Sequence, residues 1–168
     1  QVLYFADSLG NLTPSDTNNI VDIIGREWTG DLGIHAHNNK ERALVNTISA
    51  AEAGVRFLDS TILGMGRGAG NASTEGLLVE LSAKGRSEYY PDAVFPLALH
   101  EFSDLKEKYK WGPNLYYFLS ATYGIHPTYI QQMLGETYST DQVLNGVKSL
   151  RSAGASLFSL DEMSRAIS

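Results

Sequence analysis

"GIHAHNN", residues 33 to 39, sets two imidazoles two positions apart and follows them with two asparagines. In an extended strand side chains alternate between faces, so His35 and His37 share one face while Ile34 and Ala36 take the other. This spacing predicts a strand over residues 32 to 37 with both histidines near its C-terminal end. Adjacent imidazoles suit a divalent metal that activates an oxygen-bearing substrate, because they leave positions open for that substrate. A buried hydrogen-bonded pair or two surface histidines would carry the same spacing, so the flanking segments must decide.

Upstream, VLYFA at residues 2 to 6 reads as a strand that ends in the polar turn Asp7-Ser8-Leu9-Gly10-Asn11. Thr13 is placed to cap a helix with Pro14 in its first turn, and Ile20, Ile23, Ile24 and Trp28 continue the helical spacing to a stop near Gly30. Downstream, a helical pattern begins at Asn38, carries Leu44, Ile48 and Ala51 on one stripe, and ends before Gly54. Val55 to Asp59 is a third strand. Gly64-Met65-Gly66-Arg67-Gly68-Ala69-Gly70-Asn71 is too rich in glycine for a regular element, and a helix starting near Ala72 carries Thr74, Leu77, Leu78 and Leu81 to Gly85. Three successive strand-loop-helix units indicate a parallel βα architecture, which both a (β/α)8 barrel and an open doubly wound sheet would satisfy.

Beyond residue 88 the pattern is helical, with segments near 94–109, 113–123, 127–134, 140–153 and 160–166 punctuated by prolines and rich in tyrosine. The division is therefore a βα segment over 1–88 and a helical extension over 89–168. His126, before Pro127, falls in a linker, and His100 on the polar face of a helix; neither reads as a ligand. Trp111 and Tyr116 or Tyr117 are expected to pack on the rim of the βα part.

With 43% hydrophobic and 19% charged residues the 168-residue chain has an ordinary globular composition. A net charge of −6 and no basic run argue against nucleic acid. The absence of cysteine excludes disulfides and thiolate chemistry and suits a cytoplasmic location. No apolar stretch approaches the roughly 18 residues that span a bilayer. The chain opens directly in a strand without a methionine, from which an upstream segment is expected.

Asp7 and Asp59 stand at the ends of the first and third strands, so polar groups gather at the C-terminal strand ends, where parallel βα folds place their sites. Asp7 would otherwise cap the amides of Leu9 or Gly10, and Asp59 would be held by Ser60, Thr61 or Arg67. The glycine loop can present backbone N–H groups to an anion, with Arg67 adding charge; its alternating glycines match neither a Walker loop nor a dinucleotide fingerprint. Asn71 is either a helix cap or an amide-oxygen ligand.

"ADSLGNLTP", "IHAHNNKERALVNTISAAEAGV" and "LDSTILGMGRGAGNASTE", in this order, resemble the last three βα units of the metal-dependent aldolase and lyase superfamily, which includes 4-hydroxy-2-oxovalerate aldolase, 3-hydroxy-3-methylglutaryl-CoA lyase and 2-isopropylmalate synthase. The resemblance implies strands six to eight of a (β/α)8 TIM barrel, with His35 and His37 as ligands to Mn2+ or Mg2+ and Asn71 as a further ligand from the loop. It implies a pocket role for Asp7, while Arg67 is the cation at the site. The implied reaction is lyase chemistry on a 2-oxo acid such as pyruvate, through an enolate. The GMGRGAGN wording is nearest to the hydroxy-oxo-acid aldolases, in which a C-terminal helical domain docks an aldehyde dehydrogenase.

The chain departs from that pattern in lacking the first-strand aspartate ligand and strands one to five. An exposed sheet edge then calls for a covering N-terminal segment or another chain, including a homo-oligomer. Lys40-Glu41-Arg42 replaces the small residues of many relatives, either as helix-surface charge or, through Lys40, as a contact to substrate. Two other readings stay open: a synthase condensing acetyl-CoA with a 2-oxo acid, and a catalytically inactive interaction module.

Overall fold

The computed structural model describes residues 1–86 and 90–167. The division between 88 and 89 falls outside the described residues. Among those described, the chain is an α/β unit followed by helices: β1 (Val2–Asp7), α1 (Pro14–Gly25), β2 (Asp31–Ala36), α2 (Ala43–Glu52), β3 (Phe57–Leu58) and α3 (Thr74–Ala83). Then α4 (Phe95–Leu97) runs through a π-helical turn (Ala98–Phe102) into α5 (Ser103–Tyr109), followed by α6 (Leu115–Tyr123), α7 (Pro127–Gly135), α8 (Thr140–Ala153) and α9 (Leu160–Ile167).

The strands form one parallel sheet in the order β1-β2-β3, with Phe5 opposite Ile34, Ala6 opposite His35 and Gly33 opposite Phe57. The sheet is open and closes no barrel by itself. Its helix-side face carries Leu32, Ile34 and Ala36, packed with Val21, Ala43, Ala50 and Val55 and flanked by Phe5 and Leu58. Full burial of Ile34 alone is worth about 1.5–3 kcal/mol. This packing commits the alternate residues Gly33 and His35 to the opposite face.

Several boundaries differ from the sequence expectation for local reasons. Helix α1 ends at Gly25 rather than near Gly30, and Trp28 instead folds back to donate its indole N–H to the Asp31 carbonyl. Helix α2 begins at Ala43, not Asn38: the Asn38 side-chain oxygen accepts the Ala43 N–H, Lys40 N–H bonds the Gly10 carbonyl, and Glu41 adopts a left-handed φ of 58°. The third strand keeps only Phe57–Leu58 in register, although Arg56 and Asp59 still donate their N–H groups to Leu32 and Ile34. Helix α3 starts at Thr74 after Ser73, so Asn71 is not its cap.

Thr13 caps α1 as expected, in a reciprocal capping box with Asp16. Hydrogen bonds from the Thr13 hydroxyl and backbone hold the Asp16 carboxyl below its usual range. Because the folded-state value is depressed, the contribution is complete above the unfolded carboxyl value of about 3.9 and is lost as the pH falls through the folded one. Asp16→Asn should therefore flatten the acid limb of the melting temperature against pH, as read by circular dichroism; an unaltered limb would show that the box adds nothing.

The extension has its own core of Tyr117, Ile125, Tyr129, Ile130, Met133, Val147 and Leu150. His126 caps α7, its Nδ1 accepting the Thr128 N–H. Tyr129 is fully buried, and its hydroxyl accepts the Ser159 N–H at 2.8 Å and faces the Leu157 carbonyl at 2.9 Å and the Glu162 carboxylate at 2.8 Å. That one oxygen ties α7 to the start of α9. Tyr129→Phe removes these part-buried bonds and should cost about 1–3 kcal/mol in urea unfolding; a loss near zero would mean that water or rearranged loops replace the bonds.

Candidate functional site

The histidine face of the sheet is built by strand parity. His35 and His37 project together, with ring centroids 4.9 Å apart and planes at 87°. His35 Nδ1 lies 3.1 Å from Asp59 Oδ2. A carboxylate oxygen can only accept, so Nδ1 carries a proton in this contact, and in that tautomer of the neutral ring Nε2 offers its lone pair to a ligand. Tyr4 completes this face: its ring lies so close over Gly33 that a Cβ there would sit 2.5 Å away, and its phenol pKa is shifted upward by desolvation, then by the charge of Asp59 and a hydrogen bond to it.

His37 closes the strand end. Its N–H donates to the Asp7 carbonyl, and it forms an isolated bridge with Asn71. Loss of solvent holds its imidazole below the ordinary histidine range, reinforced by repulsion from His35; a bond to Gly70 opposes this, and Arg67 adds a further lowering. A neutral imidazole is the ligand form.

The glycine loop folds Asn71 back beside the histidines. A cavity of about 280 Å³ is lined by His35, Leu58, Asp59, Ser60, Thr61 and Asn71. The Asn71 amide donates Nδ2–H to the Met65 carbonyl at 3.1 Å, while its Oδ1 is buried with no hydrogen-bond partner. An orphaned buried acceptor is costly in an apolar setting and is what a cation ligand looks like without its cation. Thr61 Oγ1 is likewise buried without a partner. Thr61 is two residues beyond Asp59, so the strand period is the one sequence signal that places it here.

The structure brings His35, His37, Asn71 and Arg67 to one end of the sheet. It places Asp7 differently. Asp7 is opposite Ala36 in the register, hence on the helix-side face, and its carboxylate accepts the N–H groups of Asn11 at 3.0 Å and Leu12 at 3.2 Å, with the Gly10 amide, which bonds the Asp7 carbonyl at 3.2 Å, also acting on it. Burial raises its pKa, against the lowering effect of those amides. Asp7 thus fixes the loop after β1 against the histidine strand. Lys40 lies in the turn before α2, with Nζ 5.5 Å from the Phe118 ring centroid, so it is not helix-surface charge.

Two imidazoles and one amide oxygen form a donor set that a hard or borderline divalent cation accepts. Among the described residues no trio of His, Cys, Asp or Glu side chains is grouped for a metal. A cation would therefore draw on Asn71 and on ligands from beyond this chain or from the substrate.

Residues 1–107 match the HMGL-like family. The chain belongs to the HMGL-like family. It is 38% identical over 85 residues to oxaloacetate decarboxylase of Mycobacterium tuberculosis, covering 51% of this chain and 25% of that protein. It is 40% identical over 83 residues to 4-hydroxy-2-oxovalerate aldolase of Carboxydothermus hydrogenoformans, covering 49% and 25%. The N-terminal domain of a candidate aldolase from Bacteroides vulgatus superposes with a TM-score of 0.75 at 34% identity, covering 85% of this chain and 47% of that one. The chain thus spans about a quarter of the curated HMGL-like relatives it matches. Complete pyruvate carboxylase of Rhizobium etli shares the fold, with a TM-score of 0.77 at 12% identity over 99% of this chain and 17% of that one. Among the described residues no helix is long and apolar enough to cross a membrane.

If Asp59 sets the His35 tautomer, Asp59→Asn should move ring protons from Nδ1 toward Nε2, because an amide can donate to Nδ1. Nitrogen-15 spectra of the histidine rings read this directly, and an unchanged Nε2 lone-pair signature would count against the assignment.

Proposed function

We propose that this chain supplies part of the active site of a divalent-metal-dependent lyase that cleaves a carbon–carbon bond in a 2-oxo acid, most closely a 4-hydroxy-2-oxo acid aldolase working through an enolate. The observation that carries the reading is the meeting of His35, His37 and the unpartnered Asn71 Oδ1 at one strand end. The three units correspond to strands six to eight of a (β/α)8 barrel, and an N-terminal segment or another chain covers the edge of β1, where Val2, Leu3 and Tyr4 are exposed.

His35 Nε2, a His37 nitrogen and Asn71 Oδ1 would hold Mn2+ or Mg2+. When bound, that cation supplies Lewis-acid stabilisation of negative charge developing on the substrate's keto oxygen. The protein's part is preorganisation. Asp59 keeps the His35 proton on Nδ1, burial keeps His37 neutral, and Arg67 attracts the substrate carboxylate. Asp7 acts through the rim loop that it holds.

The likeness to oxaloacetate decarboxylase favours a second reaction on the same groups. Aldol cleavage and decarboxylation differ in the fragment that leaves, an aldehyde or carbon dioxide, and share the enolate that remains. Calorimetric Mn2+ titration of this chain should show binding that weakens about 100-fold or more in His35→Ala. Pyruvate release from hydroxy-oxo acids and from oxaloacetate, assayed with the complete polypeptide, should stop on chelation. Metal binding indifferent to His35→Ala, or full activity in chelator, would reject the reading.

A further inference from the structure

We infer that the segment joining the helical extension to the sheet, Lys106 to Tyr117, is a clamp that fixes the glycine loop and so aims Asn71 at the metal site, with Trp111 as its central positioning residue. The inference rests on the reading of Asn71 as a ligand and extends the site to a region with no side chain in it.

The loop has few restraints of its own. Gly64 N–H bonds the Thr61 carbonyl, Gly70 N–H the Arg67 carbonyl, and Asn71 N–H the Gly64 carbonyl at 3.0 Å. Its two limbs touch where Gly64 meets Gly70: a Cβ on Gly70 would sit 2.1 Å from the Gly64 oxygen, so only glycine permits this approach. Leu63, just before that contact, holds a left-handed φ of 49° that its side chain disfavours.

From the βα side Asn38 N–H donates to the Gly70 carbonyl at 2.9 Å and Leu63 N–H to the Glu75 carboxylate at 3.0 Å; a second set of restraints comes from the helical side. Trp111 donates its indole N–H to the Leu63 carbonyl at 3.0 Å, and Lys106 Nζ reaches the same oxygen at 3.5 Å. Gly112 N–H donates to the Gly68 carbonyl at 2.9 Å, and the Tyr117 ring covers Gly68 so closely that a Cβ there would lie 2.9 Å from it. Ala69 is buried in the same cluster as Tyr117, Ile130 and Met133. The loop is therefore shared, with Ala69 in the helical core and Asn71, two residues on, at the histidines. Leu63 adjoins Gly64, whose carbonyl holds the Asn71 amide, so the Trp111 bond sets the height from which Asn71 Oδ1 is presented. Coupling through such a shared element is reciprocal: a cation that holds Asn71 also tightens the helical dock.

Trp111→Phe keeps a ring and removes the N–H. In the 168-residue chain, the clamp requires that amide hydrogen exchange at Gly70 and Asn71 speed up in the variant, without faster exchange at Val147 in α8, and that the Mn2+ dissociation constant rise about tenfold. Tyr117→Leu, which loosens the other shoulder, should act in the same direction. Unchanged exchange at Gly70 and Asn71 in both variants overturns the clamp, as does unchanged Mn2+ affinity where the wild-type chain binds. A wild-type chain that does not bind Mn2+ removes Asn71 as a ligand and overturns the functional half of the inference, while exchange in the metal-free chain still decides the positional half.

Discussion

The burial of Ile34 and Ala36 against α1 and α2 is the constraint on which the site depends. A strand has two faces, and once its apolar residues are committed to one, their neighbours have no choice. Slipping β2 by one residue would put two imidazoles into an apolar layer and two aliphatic side chains at the pocket. Both errors cost free energy, so the packing that stabilises the sheet also delivers His35 and His37 as a pair. The pairing of the imidazoles is a by-product of register.

What register cannot supply is the third donor of the proposed site. Asn71 arrives from a loop whose conformation depends on glycines, and its position is set by contacts from both sides: the bridge to His37 on one, and Trp111, Gly112 and Tyr117 on the other. The unpartnered Oδ1 is tolerable because the rest of the side chain is held by Met65 and the loop by the helical region. A buried acceptor without a partner would otherwise turn outward to water.

Much of this was legible before the structure. The alternation in LGIHAH, the Thr13-Pro14 start and the helical stripes located the strands, the helices and the histidine pair to within a few residues. The misreadings cluster where side chains compete with periodicity. Asn38 continues an apparent helical pattern, but its amide oxygen takes the Ala43 N–H and delays α2. Asp7 and Asp59 both stand at strand ends, and for Asp7 the sequence left loop capping open beside a pocket role; Asp7 shares parity with Phe5 and bonds its own loop, while Asp59 turns to His35. Strand parity was available for that distinction. The long-range bond from Trp111 to Leu63 was not, since nothing local encodes it.

The same parity leaves the histidine face of the three-stranded sheet open. Tyr4 and Phe57, ring centroids 6.5 Å apart, lie beside Asp59 and His35 with much of their surface open. Covering that face would remove water from the Asp59–His35 pair and strengthen it, since a charge-assisted hydrogen bond gains as the local dielectric falls. It would also add its own desolvation to the neutrality that burial already imposes on His37. The exposed rings of Tyr4 and Phe57 and the polar pair beside them thus share one face, so whatever excludes water from the one acts on the other.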